Sequence, residues 1–322
     1  MPASRVSKRA QSHLGTQPIA VLQHNVVSIF ESANKDFLEL SRKLMLEGNL
    51  DVGIGYVISE KAITALVDGH MQMPFVSSKK KIHIHETFLS YVWCVSYSLW
   101  ILYDKAVAEP SQNKHAGNEV NKIDNVRIDK AFELFAYAKS LIKVYTPWDK
   151  IDLPNPEEYS EDEAFYVERA NSLFVYAMGF ILYHEFAHVE KKHFERIKQG
   201  ENTPKHRLAH EREADQRAIE LMLQGAEGEK RTSMLLGTLI GLCCLLYFKK
   251  ETTSQSHPDT DDRIHNYLLQ LNLDENDPMW GIAAVAFRLW DIQFQKNLNL
   301  PTEVKNFKEL YEEIRRQVLA LK

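Results

Sequence analysis

The sequence predicts an α+β fold that is predominantly helical, with a small antiparallel sheet near the N-terminus. Three observations carry this. Short β-branched or alternating runs are confined to residues 51–86. Apolar residues at helical spacing fill most of the chain beyond residue 86. With 44% apolar residues in 322, the chain can bury a sizeable core. A single domain over 1–322 is expected: an extension and helix at 1–50, the sheet at 51–86, a helical core at 87–271 and C-terminal helices at 272–322.

Residues 1–18 carry little pattern. Phe30, Phe37, Leu38, Leu44 and Leu46 predict a helix over Phe30–Glu47 that stops before Gly48. Strands are predicted at 53–59, 62–68, 71–76 and 80–86, separated by turn-compatible residues. Thr87–Ala108 reads as a long aromatic-rich helix whose apolar stripe is core. Glu109–Asn125 is polar and loop-like, and Asp129–Tyr145 is an amphipathic helix. Pro147, Pro154 and Pro156 make Thr146–Glu161 irregular. Further helices are predicted at 162–195, 207–224, 230–249, 260–271, 278–296 and 303–320.

Within them, Ser233–Phe248 is apolar throughout. As a helix it reaches about 24 Å, short of a hydrocarbon core of roughly 30 Å. A buried core helix is expected there, with peripheral or inserted membrane contact as the alternative.

Composition excludes several function classes. A net charge of −5 gives no global basic field for nucleic acid. Lys79–Lys81 reads as a solvated strand edge. Cys94, Cys243 and Cys244 make no disulfide framework, and a reducing cytoplasm is the simplest compartment. The basic residues at the N-terminus are not closely followed by an apolar run, so no secretory signal is read there.

The chemistry is concentrated in His184-Glu185-Phe186-Ala187-His188. Histidines four apart on a helix differ by only about 40° around its axis, so both imidazoles can face one metal. The glutamate between them points to one side, where it can take a proton from an activated water without becoming a ligand. With 13 histidines in the chain, chance produces this pattern about 0.04 times.

A third ligand is needed, and His210-Glu211-Arg212-Glu213-Ala214-Asp215 offers one. Glu211 and Asp215 share a helix face, so Glu211 can ligate while Asp215 accepts a hydrogen bond from a ligand imidazole. Glu213 points roughly 200° from Glu211 and is the weaker candidate. His193 lies about 140° round the helix from His188, and His210 neighbours Glu211, so both read as structural or supporting. His83 and His85 alternate with isoleucine on a strand and are expected to face solvent. His257, at the start of His257-Pro258-Asp259-Thr260-Asp261-Asp262-Arg263, can donate to the oxyanion of a tetrahedral intermediate, and Arg263 can brace Asp215.

The order HExxH, then ExxxD, then HPxxxxR resembles the gluzincin zinc metallopeptidases that include the CAAX prenyl proteases and the HtpX heat-shock proteases. More closely, SYVWCVSYSLW (90–100), YHEFAHVEKKH (183–193), EREADQRA (211–218) and HPDTDDRI (257–264) resemble the Lit-type phage-exclusion peptidases. That resemblance implies a zincin-like fold with Zn2+ on His184, His188 and Glu211 and with Glu185 as the catalytic glutamate. It implies cleavage of host elongation factor Tu in the cytoplasm, triggered by a phage-derived peptide. The expected reaction is metal-assisted peptide hydrolysis, helped by His257, on an extended substrate laid along an edge strand of 53–85. The competing readings are a membrane-associated quality-control protease and a non-catalytic zinc-binding interaction protein.

Overall fold

The computed structural model describes residues 5–7, 17–58, 73–117, 124–252, 258–301 and 303–322. It is α+β and predominantly helical. The expected helix over Phe30–Glu47 is two helices, α1 (Gln23–Ser32) and α2 (Phe37–Leu46). They part at Asn34, whose side chain accepts from Asp36 N–H and donates to Leu221 C=O and Gln224 Oε1. This turn lets Phe30 and Phe37 pack together, ring centroids 4.7 Å apart, and both lean on Tyr183 and Phe186.

The three-stranded sheet is mixed, which corrects the antiparallel expectation. Its order is β2 (Ile54–Val57), β4 (Ile82–His85), β3 (Phe75–Val76), beside a separate pairing of β1 (Arg5–Ser7) with β5 (Glu158–Ser160). β3 and β4 form an antiparallel hairpin, closed by Ser77 N–H to Lys81 C=O with Lys80 at φ 62°. β2 pairs with β4 in parallel, because the chain between them makes a crossover instead of a tight turn. The run 62–68 lies outside the described residues.

His85 also departs from expectation: it is buried, only 3% exposed, while His83 is half-buried and stacked on Phe75 at 5.1 Å. His83 lies across the backbone of β2, where a Cβ on Gly55 would fall 2.4 Å from its Nδ1. Among the described residues β3 has no strand on its outer side, so it is an edge.

α3 (Glu86–Tyr103) is buried almost throughout and runs through the middle of the core. It continues through a wider turn at Asp104–Ala108 into α4 (Glu109–His115), where polarity predicted a loop. Pro110, which brings no backbone N–H, follows closely on that wider turn. α5 (Asn125–Lys143) packs along α3 and is capped by Asp124, which accepts from Arg127 N–H.

α6 (Glu161–Glu190) starts with a reciprocal cap between Ser160 and Glu163 and lies against α8 (Pro204–Leu223) and α9 (Gly228–Cys243). The α6–α9 approach is close: a Cβ on Gly237 would meet Tyr176 Cβ at 2.4 Å. Among the described residues Gly228–Phe248 is the one helical stretch long and apolar enough to cross a membrane, and 67% of its most apolar window is buried within the protein. Core packing against α6 accounts for its apolar sequence. α7 (His193–Lys198), α10 (Thr260–Gln270), α11 (Pro278–Phe294) and α12 (Phe307–Leu319) complete the fold. All three cysteines are buried and free.

Candidate metal centre

The last two turns of α6 carry His184, Glu185 and His188, and α8 brings Glu211 across from them. The three donors form a small triangle. His184 Nε2 and His188 Nε2 are 3.1 Å apart, and Glu211 places Oε2 3.4 Å from the first and Oε1 3.6 Å from the second. A tetrahedral ion with bonds of about 2.0–2.1 Å has edges of about 3.3 Å between its ligand atoms. Two imidazoles and a carboxylate at this spacing therefore fit a zinc-like ion, and they are the one such group among the described residues. The triangle opens on a cleft that Glu185, His193 and His210 also line.

Glu185 is half-buried and lines that cleft. Burial pushes its carboxyl up to about 7; the neighbouring charge of His184 opposes this and that of Glu211 adds to it.

His184 is held directly. Its Nδ1 is 2.9 Å from Asp215 Oδ1, and Arg263 from α10 donates from Nε to Oδ2 at 2.7 Å and from Nη2 to Oδ1 at 2.5 Å. Burial alone would lower the His184 pKa, but hydrogen bonds to Asp215 and Glu211 override it and raise the value to about 10. For Asp215, burial works upward, yet Arg263 and His184 hold the carboxyl well below the usual carboxylate range. His188 goes the other way: burial, then the adjacent charge of His184, lower it to about 3.

Helical extrapolation fails at His193. α6 ends at Glu190, and Lys192 adopts a left-handed conformation, φ 55° and ψ 38°, before α7 starts at His193. The turn folds His193 back until its Nδ1 is 2.9 Å from His188 Nδ1. His193 Nε2 in turn lies 3.1 Å from Glu213 Oε2, which also accepts from Arg196 Nη1 at 2.9 Å. His210 stacks on His193 at 4.4 Å and is held by Glu201. Sequence spacing misses Glu213 and Arg196 as supports of this cluster, because left-handed backbone is usually announced by glycine and here it is lysine. His257 lies outside the described residues; Arg263, in the same motif, reaches Asp215.

The cleft over the triangle has a volume of about 590 Å³. One wall is Met73–Val76, the edge of the sheet, and the floor is apolar, with Phe88, Phe180, Phe194 and Ile197.

Comparison with curated proteins and with solved structures gave no match. A family model did: that of Peptidase U49 matches residues 82–283, a span from β4 into α11 that holds the donor triangle, Glu185, Asp215 and Arg263. The chain belongs to the Peptidase U49 family, the Lit-type peptidases that its motifs resemble.

Proposed function

We propose that this peptidase is a zinc-dependent endopeptidase working in the cytoplasm in phage exclusion, with elongation factor Tu as substrate and a phage-derived peptide as trigger. The observation that carries the zinc chemistry is the donor triangle of His184, His188 and Glu211, with Glu185 beside it in an apolar cleft. Family membership and the four motif segments support the target and the trigger.

Bound between the three donors, zinc would polarise the scissile carbonyl and make a water more acidic. Glu185 takes a proton from the attacking water as oxygen adds to the carbonyl carbon. It returns that proton to the amide nitrogen as the C–N bond breaks. In the metal-free protein burial holds the Glu185 carboxyl up at about 7, a position from which it can both take and give a proton. The edge of β3, beside which no strand lies among the described residues, offers backbone N–H and C=O groups to an extended substrate, and the apolar floor receives a bulky apolar side chain next to the scissile bond.

The test compares wild type with Glu185→Gln for zinc content and for protein fragments in infected bacterial cells. Both proteins should hold one zinc ion, and only wild type should yield elongation factor Tu fragments, the rate falling by about 10²–10⁴-fold in the variant. A zinc-loaded Glu185→Gln protein that still cuts the same target would remove Glu185 from the chemistry. Absence of zinc from both would remove the metal.

A further inference from the structure

We propose that Glu213 and His193 fix the tautomer of His188, so that His193 is a positioning residue acting through a ligand. The inference rests on the zinc reading and concerns how the chain prepares its own donor atom.

The donor triangle uses His188 Nε2, so the proton of a neutral His188 ring must sit on Nδ1. The partner of Nδ1 is His193 Nδ1 at 2.9 Å, and a hydrogen bond between two ring nitrogens needs one donor and one acceptor. His193 therefore has to accept at Nδ1 and carry its own proton on Nε2. There it meets Glu213 Oε2 at 3.1 Å, and an ionised carboxylate can only accept. The chain of directions is closed: Glu213 sets His193, and His193 sets His188.

The surroundings keep this chain rigid. His193 is 1% exposed and lies flat on His210, with 12° between the ring planes. Arg196 donates to Glu213 from Nη1 and to Glu201 from Nε, both at 2.9 Å, and Glu201 holds His210 Nε2 at 2.8 Å. One guanidinium thus anchors both carboxylates that orient the stacked rings.

Glu213→Leu is the decisive change because it removes the acceptor that holds the His193 proton on Nε2. That proton can then move to Nδ1, where His188 must accept, and the His188 proton moves onto Nε2, the ligand atom. Glu213→Gln is the control: Oε2 accepts from both Arg196 Nη1 and His193 Nε2, and an amide oxygen in its place accepts from both.

The experiment titrates the purified full chain with zinc against a competing chelator. It also records 15N imidazole spectra and the thermal midpoint of the metal-free protein. Glu213→Leu should weaken zinc binding by roughly 10–100-fold, the range for lost support of a ligand, with little change in the midpoint and a His188 signal shifted toward the Nε2–H form, while Glu213→Gln keeps the parental affinity. His193→Asn, whose Oδ1 can accept from His188 Nδ1–H, should recover most of the affinity that His193→Leu loses. A Glu213→Leu protein with parental zinc affinity, or a Glu213→Gln protein that loses as much as Glu213→Leu, overturns the proposal. If the parent binds no zinc, the proposed function fails, while the metal-free spectra still decide the tautomer question.

Discussion

His184 and His188 stand one helical turn apart and face the same point, yet they are anchored at different depths. Behind His184 the path is short and buried: Asp215, then Arg263, with side chains 14% and 9% exposed. Behind His188 an extra imidazole intervenes, and the closing pair of Glu213 and Arg196 is 37% and 35% exposed. Both arms end in a carboxylate clamped by arginine. Depth decides what each clamp contributes. A desolvated ion pair couples strongly to its neighbours, whereas a solvent-screened pair adds little energy and contributes mainly direction.

The strongest way to break this contrast is to cut the buried clamp. Arg263→Met leaves the Asp215 charge without its guanidinium and should destabilise the metal-free protein by about 3–5 kcal/mol in denaturant unfolding. A loss below about 1 kcal/mol would mean that His184 alone compensates Asp215 and that depth matters little.

Zinc uptake, if the proposed site holds, should separate the two histidines by pH. His184, raised to about 10, is charged at pH 8, whereas His188, lowered to about 3, is already neutral. Binding should release about one proton more at pH 8 than well above pH 10, and that extra proton is the one on His184. Calorimetry in two buffers of different ionisation enthalpy measures this. The same shifts set the stability of the metal-free protein. The His184 contribution is complete below about pH 6.5 and is lost as pH rises to about 10. The Asp215 contribution is held above about pH 4 and is lost as pH falls further, since its folded-state pKa is depressed. A difference of two protons between pH 8 and the range well above pH 10 would make the histidines equivalent.

Cutting the outer clamp should do far less. Arg196→Met is expected to cost at most about 1 kcal/mol of stability, and a loss matching that of Arg263→Met would erase the difference between the arms. The smallest effect is at the turn that creates the outer arm. Lys192→Gly removes the side-chain strain of a left-handed residue and should raise stability by about 0.5 kcal/mol with zinc affinity unchanged. A fall in stability would show that the lysine side chain contributes contacts that outweigh its backbone strain.

How far the sequence speaks depends on the range of the forces involved. Shared faces at i and i+4 are local, so the pairs His184 with His188 and Glu211 with Asp215 can be read from spacing alone. The amphipathic helices are legible for the same reason. The break after Glu190 is not, because Lys192 gives no signal of a left-handed residue. Nor is the parallel pairing of β2 with β4, which depends on how the chain crosses over between them. The buried His85 defeats an alternation argument because β4 runs directly into α3, so its last residue faces the core instead of solvent. α4 shows a polar pattern carried into helix by continuity with the buried helix before it.

The aromatic contacts made by α1 and α2 bear on the donor triangle from behind. Tyr183 and Phe186 flank His184 and Glu185 in sequence, and Phe30 and Phe37 seat against them with ring centroids 4.8–6.4 Å away. A helix wedged in this way works like a keyed shaft: it cannot roll without prying four rings apart. The aim of two imidazoles is thereby partly set on a side of the helix that no substrate meets, by residues that lie ahead of the matched family region.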